Sequence, residues 1–159
     1  MASGERLWPF VGRDVELASV TAALISGQGA VVRGAAGVGK SRLVDEVLEV
    51  VAAGPGRVHR VAGIPALATT PRGALVPLVG TAYGAAASAR LSEVLSDGGA
   101  RGPGRPVLAV DDAHLLDPVS AGLVHQSATS GWATVVLTVR SGEPVPAGLE
   151  RVWSAGRLK

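Results

Sequence analysis

Gly34-Ala35-Ala36-Gly37-Val38-Gly39-Lys40-Ser41 is the stretch whose reading decides the fold. It satisfies G-x-x-x-x-G-K-[ST] at every fixed position, the pattern of a phosphate-binding loop. The flanks agree with that reading. Ala30-Val31-Val32-Arg33 upstream is a short β-rich run. Downstream, from Ser41 to Ala53, apolar Leu43, Val44, Val47, Leu48 and Val51 recur at helical spacing, with Asp45, Glu46 and Glu49 on the other face. Gly54-Pro55-Gly56 stops that helix. Glycines let the backbone curl so that successive N–H groups face phosphate oxygens, and the helix N-terminus adds the positive end of its dipole. Gly34, Ala36, Gly37, Val38, Gly39, Lys40, Ser41 and Arg42 are therefore the expected nucleotide-binding segment. Lys40 suits the β- and γ-phosphates as a mobile point charge, and Ser41 offers a hydroxyl to Mg²⁺. A chance Gly/Ala-rich turn is the alternative, and the strand–loop–helix context argues against it.

Composition supports the same loop. The chain has 159 residues, the size of one domain. Its 15 basic residues include only two lysines, Lys40 and Lys159, so the one interior lysine sits at the phosphate position. There, a compact ammonium on a flexible stem differs from a planar guanidinium. Aromatics are scarce at 3%, which leaves the core to Val, Leu and Ala. The absence of cysteine excludes disulfides and thiolate metal sites, and His59, His114 and His125 have no i, i+4 pairing suited to zinc. A net charge of +2 with scattered arginines gives little electrostatic support for nucleic-acid binding by this segment. No signal-peptide pattern opens the chain, which points to the cytoplasm. The longest uncharged stretch, Gly73 to Ala89, is too short and too weakly hydrophobic for a membrane span.

Further elements follow along the chain. Residues 1–9 read as a flexible leader, and 10–159 as one nucleotide-binding domain. Asp14 to Ile25 has helical apolar spacing, and Val58-His59-Arg60-Val61 alternates as a strand. Residues 64–72 read as loop, 73–97 as one or two Ala-rich helices, and 98–106 as a turn-rich loop whose Arg101 and Arg105 are solvated. Val107-Leu108-Ala109-Val110 is a continuous apolar run ending in Asp111-Asp112, the pattern of a fully buried parallel strand. Asp117-Pro118 starts a helix, with Asp117 as N-cap. Thr134 to Val139 is another buried strand, and Ala147 to Trp153 a final short helix. Strands alternating with helices give an α/β fold with a mainly parallel sheet.

A carboxylate at the tip of a buried strand beside a phosphate loop is where Mg²⁺ and its water shell need an anionic partner. Asp111 takes that role, with Ser41 as its companion metal ligand. Asp112 stands where a glutamate usually orients the attacking water, one methylene shorter. The competing reading of the acid pair is a helix cap or solvated turn. His114, just beyond, reads as a packing or supporting residue rather than a catalytic one.

Phe10-Val11-Gly12-Arg13-Asp14-Val15-Glu16-Leu17, the phosphate loop, Val107 to His114 and Leu137-Thr138-Val139-Arg140, in that order, resemble the AAA-like ATPase domain of large LuxR-type transcriptional regulators, within the STAND class of signalling P-loop NTPases. The resemblance spans roughly residues 10 to 158. It implies ATP or ADP with Mg²⁺ as ligands, Val11, Gly12 and Arg13 beside the adenine, and Arg140 as a sensor near the γ-phosphate. Lys40, Asp111, Asp112 and Arg140 would then be the catalytic set. The resemblance also implies neighbouring domains in a longer parent protein, and a fifth parallel strand formed just past Lys159, without which Ala30–Arg33 is expected at a sheet edge and the chain reads as an N-terminal fragment. The favoured function is a regulatory nucleotide switch with slow hydrolysis, without direct nucleic-acid or membrane contact and with oligomeric state open. The rivals are an active AAA-class motor or loader, a non-enzymatic remnant with no turnover, and a small-molecule kinase.

Overall fold

The computed structural model describes residues 12–96 and 104–154. The expectations for the leader, for Val11 and for Arg101 lie outside the described residues. Four parallel strands form one sheet: β1 (Ala30–Gly34), β2 (Val58–Ala62), β3 (Val107–Asp111) and β4 (Thr134–Arg140), in the order β1-β4-β3-β2. The α-helices are α1 (Asp14–Ile25), α2 (Lys40–Ala52), α3 (Val76–Val79), α4 (Gly84–Ser96), α5 (Pro118–Thr129) and α6 (Ala147–Ser154). The α/β class and parallel sheet expected from the sequence are what the chain adopts.

The central strands β3 and β4 are almost continuously buried and mostly apolar because both faces of the sheet are covered there, whereas the edge strands β1 and β2 carry Arg33, His59 and Arg60. Val107, Ala109 and Val136 pack with Val44, Val47 and Leu48 of α2 and with Ala23 and Leu24 of α1. Their neighbours Leu108, Val110, Val135, Leu137 and Val139 face the other way, into a core shared with α4, α5 and α6. Strand periodicity thus divides alternate residues between two cores. On α1 the apolar pattern overstates the buried face. Val15 and Ile25 are 81% and 72% exposed, and the helix buries only Ala23 and Leu24 fully.

The stretch read as one or two Ala-rich helices is a 3-10 turn at Gly73–Leu75 followed by α3 and α4. The break falls between Gly80 and Gly84, both at positive φ. A 3-10 turn at Pro65–Leu67 lies in the segment read as loop, and β4 runs one residue further than expected, to Arg140. Arg105 is exposed, as read. No helix among the described residues is long and apolar enough to cross a membrane.

Topology sets the site. The chain leaves β1 through α2 on one face, then returns through β2, β3 and β4 with its later helices on the opposite face. Right-handed crossovers moving in opposite directions across a sheet require that split. Segments leaving β1 and its neighbour β4 therefore diverge and open a crevice at their carboxyl ends, where α/β proteins bind ligands.

Asp117 anchors the start of α5. It is 1% exposed and caps α5, its Oδ1 accepting the backbone N–H groups of Val119 at 3.0 Å and Ser120 at 2.9 Å. The same oxygen accepts the N–H of Arg72 at 2.9 Å, while Oδ2 accepts the Ser120 hydroxyl. Arg72 itself is buried at positive φ, lays its guanidinium 3.5 Å over the Tyr83 ring and donates to the carbonyls of Gly80 and Ala82. One carboxylate and one arginine so fasten the segment after β2 onto α5.

Burial opposes the charge on Asp117, but the Ser120 hydroxyl and three backbone N–H donors outweigh it and lower its pKa. A lowered carboxylate pKa contributes stability above the unfolded-state value that is lost as pH falls through the folded one. Asp117→Ala should cost about 2 kcal/mol or more, combining a lost cap with orphaned buried donors, as read by urea unfolding. Asp117→Asn, which keeps an acceptor oxygen, should lose less and should flatten the decline in stability below the usual carboxylate range. An acid profile unchanged by Asp117→Asn would contradict this assignment.

Gly63 sits where β2 leaves the sheet. Its N–H donates to the Asp111 carbonyl at 2.8 Å, and a Cβ there would lie 2.4 Å from the Asp112 carbonyl oxygen. Gly63→Ala should therefore destabilise by about 1–3 kcal/mol. Denaturation at matched conditions checks this; a neutral substitution would show that the two strand exits are not in contact.

Candidate functional site

Lys40 opens α2, and Gly39 before it has φ 85°, with Gly37 at φ 74°. These left-handed turns let the loop fold back over the helix N-terminus, a backbone path that side chains with a Cβ resist. Lys40 is buried, and its Nζ donates to the Ala35 carbonyl at 2.9 Å across the loop. The Gly34–Ser41 segment thus closes around its own lysine, with Ala35, Ala36 and Gly37 exposed on the outside. At Gly34 a side chain would meet the far end of the exposed Val38. A Cβ there would lie 2.9 Å from Val38 Cγ2.

Ser41 Oγ lies 2.9 and 2.8 Å from the two Asp111 carboxylate oxygens, sharing its proton between them. The pair spans α2 and the tip of β3. Hydroxyl and carboxylate oxygens at one point are the hard donor set that Mg²⁺ takes, and the remaining positions suit water and phosphate. Ser41, Asp111 and Thr138 also line a cavity of about 280 Å³ running between α2 and β2, whose rim carries the ion pair of Asp45 with Arg60.

Thr138 is a site residue that the sequence reading left without a role. It is 1% exposed on β4, donates its hydroxyl to Asp111 Oδ1 and accepts the Asp112 N–H at 2.9 Å. The available signal was a hydroxyl at an inner position of the otherwise apolar run Val135-Val136-Leu137-Thr138-Val139. A buried strand tolerates that group only with partners, and here the partners are the acid pair.

Asp112 follows at φ 47°, in the left-handed region. Asp and Asn occupy that region more readily than longer side chains, so the backbone gives an independent reason for aspartate here. Its side chain is 40% exposed. Arg140, exposed at the end of β4, is in register with Gly34, and the next N–H, of Ser141, donates to the Gly34 carbonyl at 3.0 Å. The candidate sensor therefore adjoins the first residue of the phosphate loop.

Lys40, Ser41, Asp111, Asp112 and Arg140 are thus gathered at the carboxyl ends of three neighbouring strands, β1, β4 and β3. Arg42 follows Ser41 in the first turn of α2. Gly12 and Arg13 stand just before α1, with the Arg13 carbonyl accepting the Leu17 N–H at 2.9 Å. No contact joins them to the phosphate loop among the described hydrogen bonds, and Val11 lies outside the described residues.

Comparison with known proteins bears on the same constellation. The sequence profile of the AAA ATPase domain matches residues 9–137. Curated proteins yield no match. Among solved structures, a closed-state cryo-EM reconstruction of Hsp104 with ATPγS and FITC casein is similar with a TM-score of 0.56 at 16% identity. The likeness covers 97% of this chain and 27% of that one, so this chain spans about a quarter of the length of its structural relative. At that identity it speaks for the fold. The profile match takes in the phosphate loop, the acid pair at the tip of β3 and most of β4. With it, a phosphate loop and acid-tipped strand first read from spacing become a family assignment: the chain belongs to the AAA ATPase domain family, a nucleotide-binding ATPase fold.

Proposed function

We propose that residues 10–159 form a regulatory nucleotide switch, binding ATP or ADP with Mg²⁺, hydrolysing ATP slowly, and acting in the cytoplasm within a transcriptional regulator of the LuxR type. The observation that carries the reading is the Ser41 hydroxyl held between both Asp111 oxygens at the mouth of the glycine loop. The loop's backbone N–H groups and Lys40 bind the phosphates. Mg²⁺ bound by Ser41 and Asp111 would neutralise charge on the β- and γ-phosphate oxygens. Asp112 orients water at the γ-phosphate, and its short side chain in a left-handed backbone position favours slow turnover over motor activity. Arg140 beside Gly34 answers to the presence of the γ-phosphate. Its strand passes that difference toward α6 and whatever domain packs there, the usual form of a γ-phosphate switch. Gly12 and Arg13, with Val11, are assigned to the adenine on the resemblance of the Phe10-Val11-Gly12-Arg13 stretch.

Calorimetry with ATP and ADP in Mg²⁺ tests the reading. Lys40→Ala should weaken ATP binding by at least about tenfold, or ~1.4 kcal/mol, and Lys40→Arg should not restore it. Failure of the wild-type chain to bind either nucleotide would refute the switch. Steady-state turnover of about 1 s⁻¹ or faster would instead support an active motor.

Asp112 carries a second expectation. Asp112→Glu should raise single-turnover hydrolysis about threefold or more by extending the carboxylate. It should also cost about 1 kcal/mol of stability through the left-handed backbone. Asp112→Asn should suppress hydrolysis with ATP binding retained. Equal rates in all three chains would remove Asp112 from the chemistry.

A further inference from the structure

The hydrogen-bond ladder between β3 and β4 ends at the pair Val110 and Leu137. The residues that matter most, Asp112 and Arg140, lie beyond that pair, so no backbone ladder sets their separation. Two side chains take over. Thr138 reaches from β4 to Asp111 and to the Asp112 N–H. His114 reaches the other way, from the 3-10 turn Ala113–Leu115 after β3 back to β4, its Nδ1 accepting the Arg140 N–H at 3.4 Å. The same Nδ1 lies 3.9 Å from Asp112 Oδ1, and the imidazole is only 3% exposed.

This placement is more specific than packing. Arg140 is paired with β1 on one side, through Gly34. On the other side its N–H points to where β3 has already turned away, and the imidazole supplies the acceptor that a strand would have supplied. Arg140 is exposed, so the imidazole gives this N–H a fixed protein acceptor where solvent would otherwise serve. The imidazole therefore stands between the acid that faces the γ-phosphate and the arginine that answers to it.

We infer that His114 is a positioning residue that sets the separation of Asp112 and Arg140, and through it both the rate of hydrolysis and the discrimination of ATP from ADP. The inference rests on the nucleotide reading of the site. It assigns His114 no contact with nucleotide and no proton transfer. The imidazole replaces the missing end of the β3–β4 ladder.

The test uses the full chain with His114→Leu, which keeps bulk without an acceptor, and His114→Asn, which returns an amide oxygen near the place of Nδ1. ATP and ADP affinities are read by calorimetry and hydrolysis by single-turnover phosphate release over a range of ATP concentrations. His114→Leu should lower the maximal rate by about tenfold, the usual cost of removing a hydrogen-bonded support, with the half-saturating ATP concentration within about twofold of wild type. The ratio of ATP to ADP affinity should shift by about fivefold, and this ratio decides the matter if turnover is too slow to follow. His114→Asn should restore both properties to within about threefold of wild type. Wild-type behaviour of His114→Leu, or equal impairment of Leu and Asn, overturns the inference. If His114→Leu does not fold, His114→Gln replaces it, since its longer amide reaches the Nε2 place instead. Gln should be impaired where Asn is not, and equality of the two overturns the inference. Absence of ATP binding by the wild-type chain would overturn the nucleotide reading and this inference with it, whereas normal binding with indifferent His114 variants overturns this inference alone.

Discussion

The Asp111 carboxylate is the point on which the rest of the site depends. Its oxygens take the Ser41 hydroxyl from α2 and the Thr138 hydroxyl from β4, and Oδ1 lies 3.2 Å from the Asp112 N–H. The carbonyl of the same residue accepts the Gly63 N–H at the exit of β2. One residue so connects the phosphate loop's helix with the ends of three strands. A carboxylate ringed by donors is held in one orientation, as the proposed role in holding a divalent ion would require. It also makes the position intolerant of neutral replacement, since several donors would lose their partner together.

That convergence follows from strand order. Placing β4 between β1 and β3 brings Thr138 and Arg140 between the phosphate loop and the acid pair. The order places Thr138 against Asp111 and Arg140 beside Gly34. The divergence of helices from β1 and β4 to opposite faces leaves the crevice open above them. The Asp117–Arg72 fastening ties the segment following β2 to α5 just beyond the acid pair.

Much of this was legible in the sequence, for physical reasons. The phosphate loop announces itself because few residue types allow its backbone path. Strand β3 does so because burial on both faces demands an unbroken apolar run. Asp117-Pro118 marks the start of α5 because an N-cap and a missing N–H both suit a first turn. What was not legible depends on pairing between distant segments. Nothing local reveals that Thr138 meets Asp111, that Arg72 lies buried against Tyr83, or that the β3–β4 ladder ends before Arg140 and leaves its N–H to His114. On α1, periodicity alone could not show that Val15 and Ile25 would face outward, since that depends on how far α2 covers the helix.

The central claim is that the Gly34–Ser41 loop and the Ser41–Asp111 pair form one site for a nucleotide and its divalent ion. A crystal structure of the chain with a non-hydrolysable ATP analogue and Mn²⁺, whose anomalous signal locates the ion, tests it directly. The account predicts the triphosphate in the loop and the ion at Ser41 and Asp111, with the present Ser41–Asp111 hydrogen bond replaced by contacts to the metal and its water. An analogue bound elsewhere, or an empty loop with that hydrogen bond intact at saturating analogue, would contradict it.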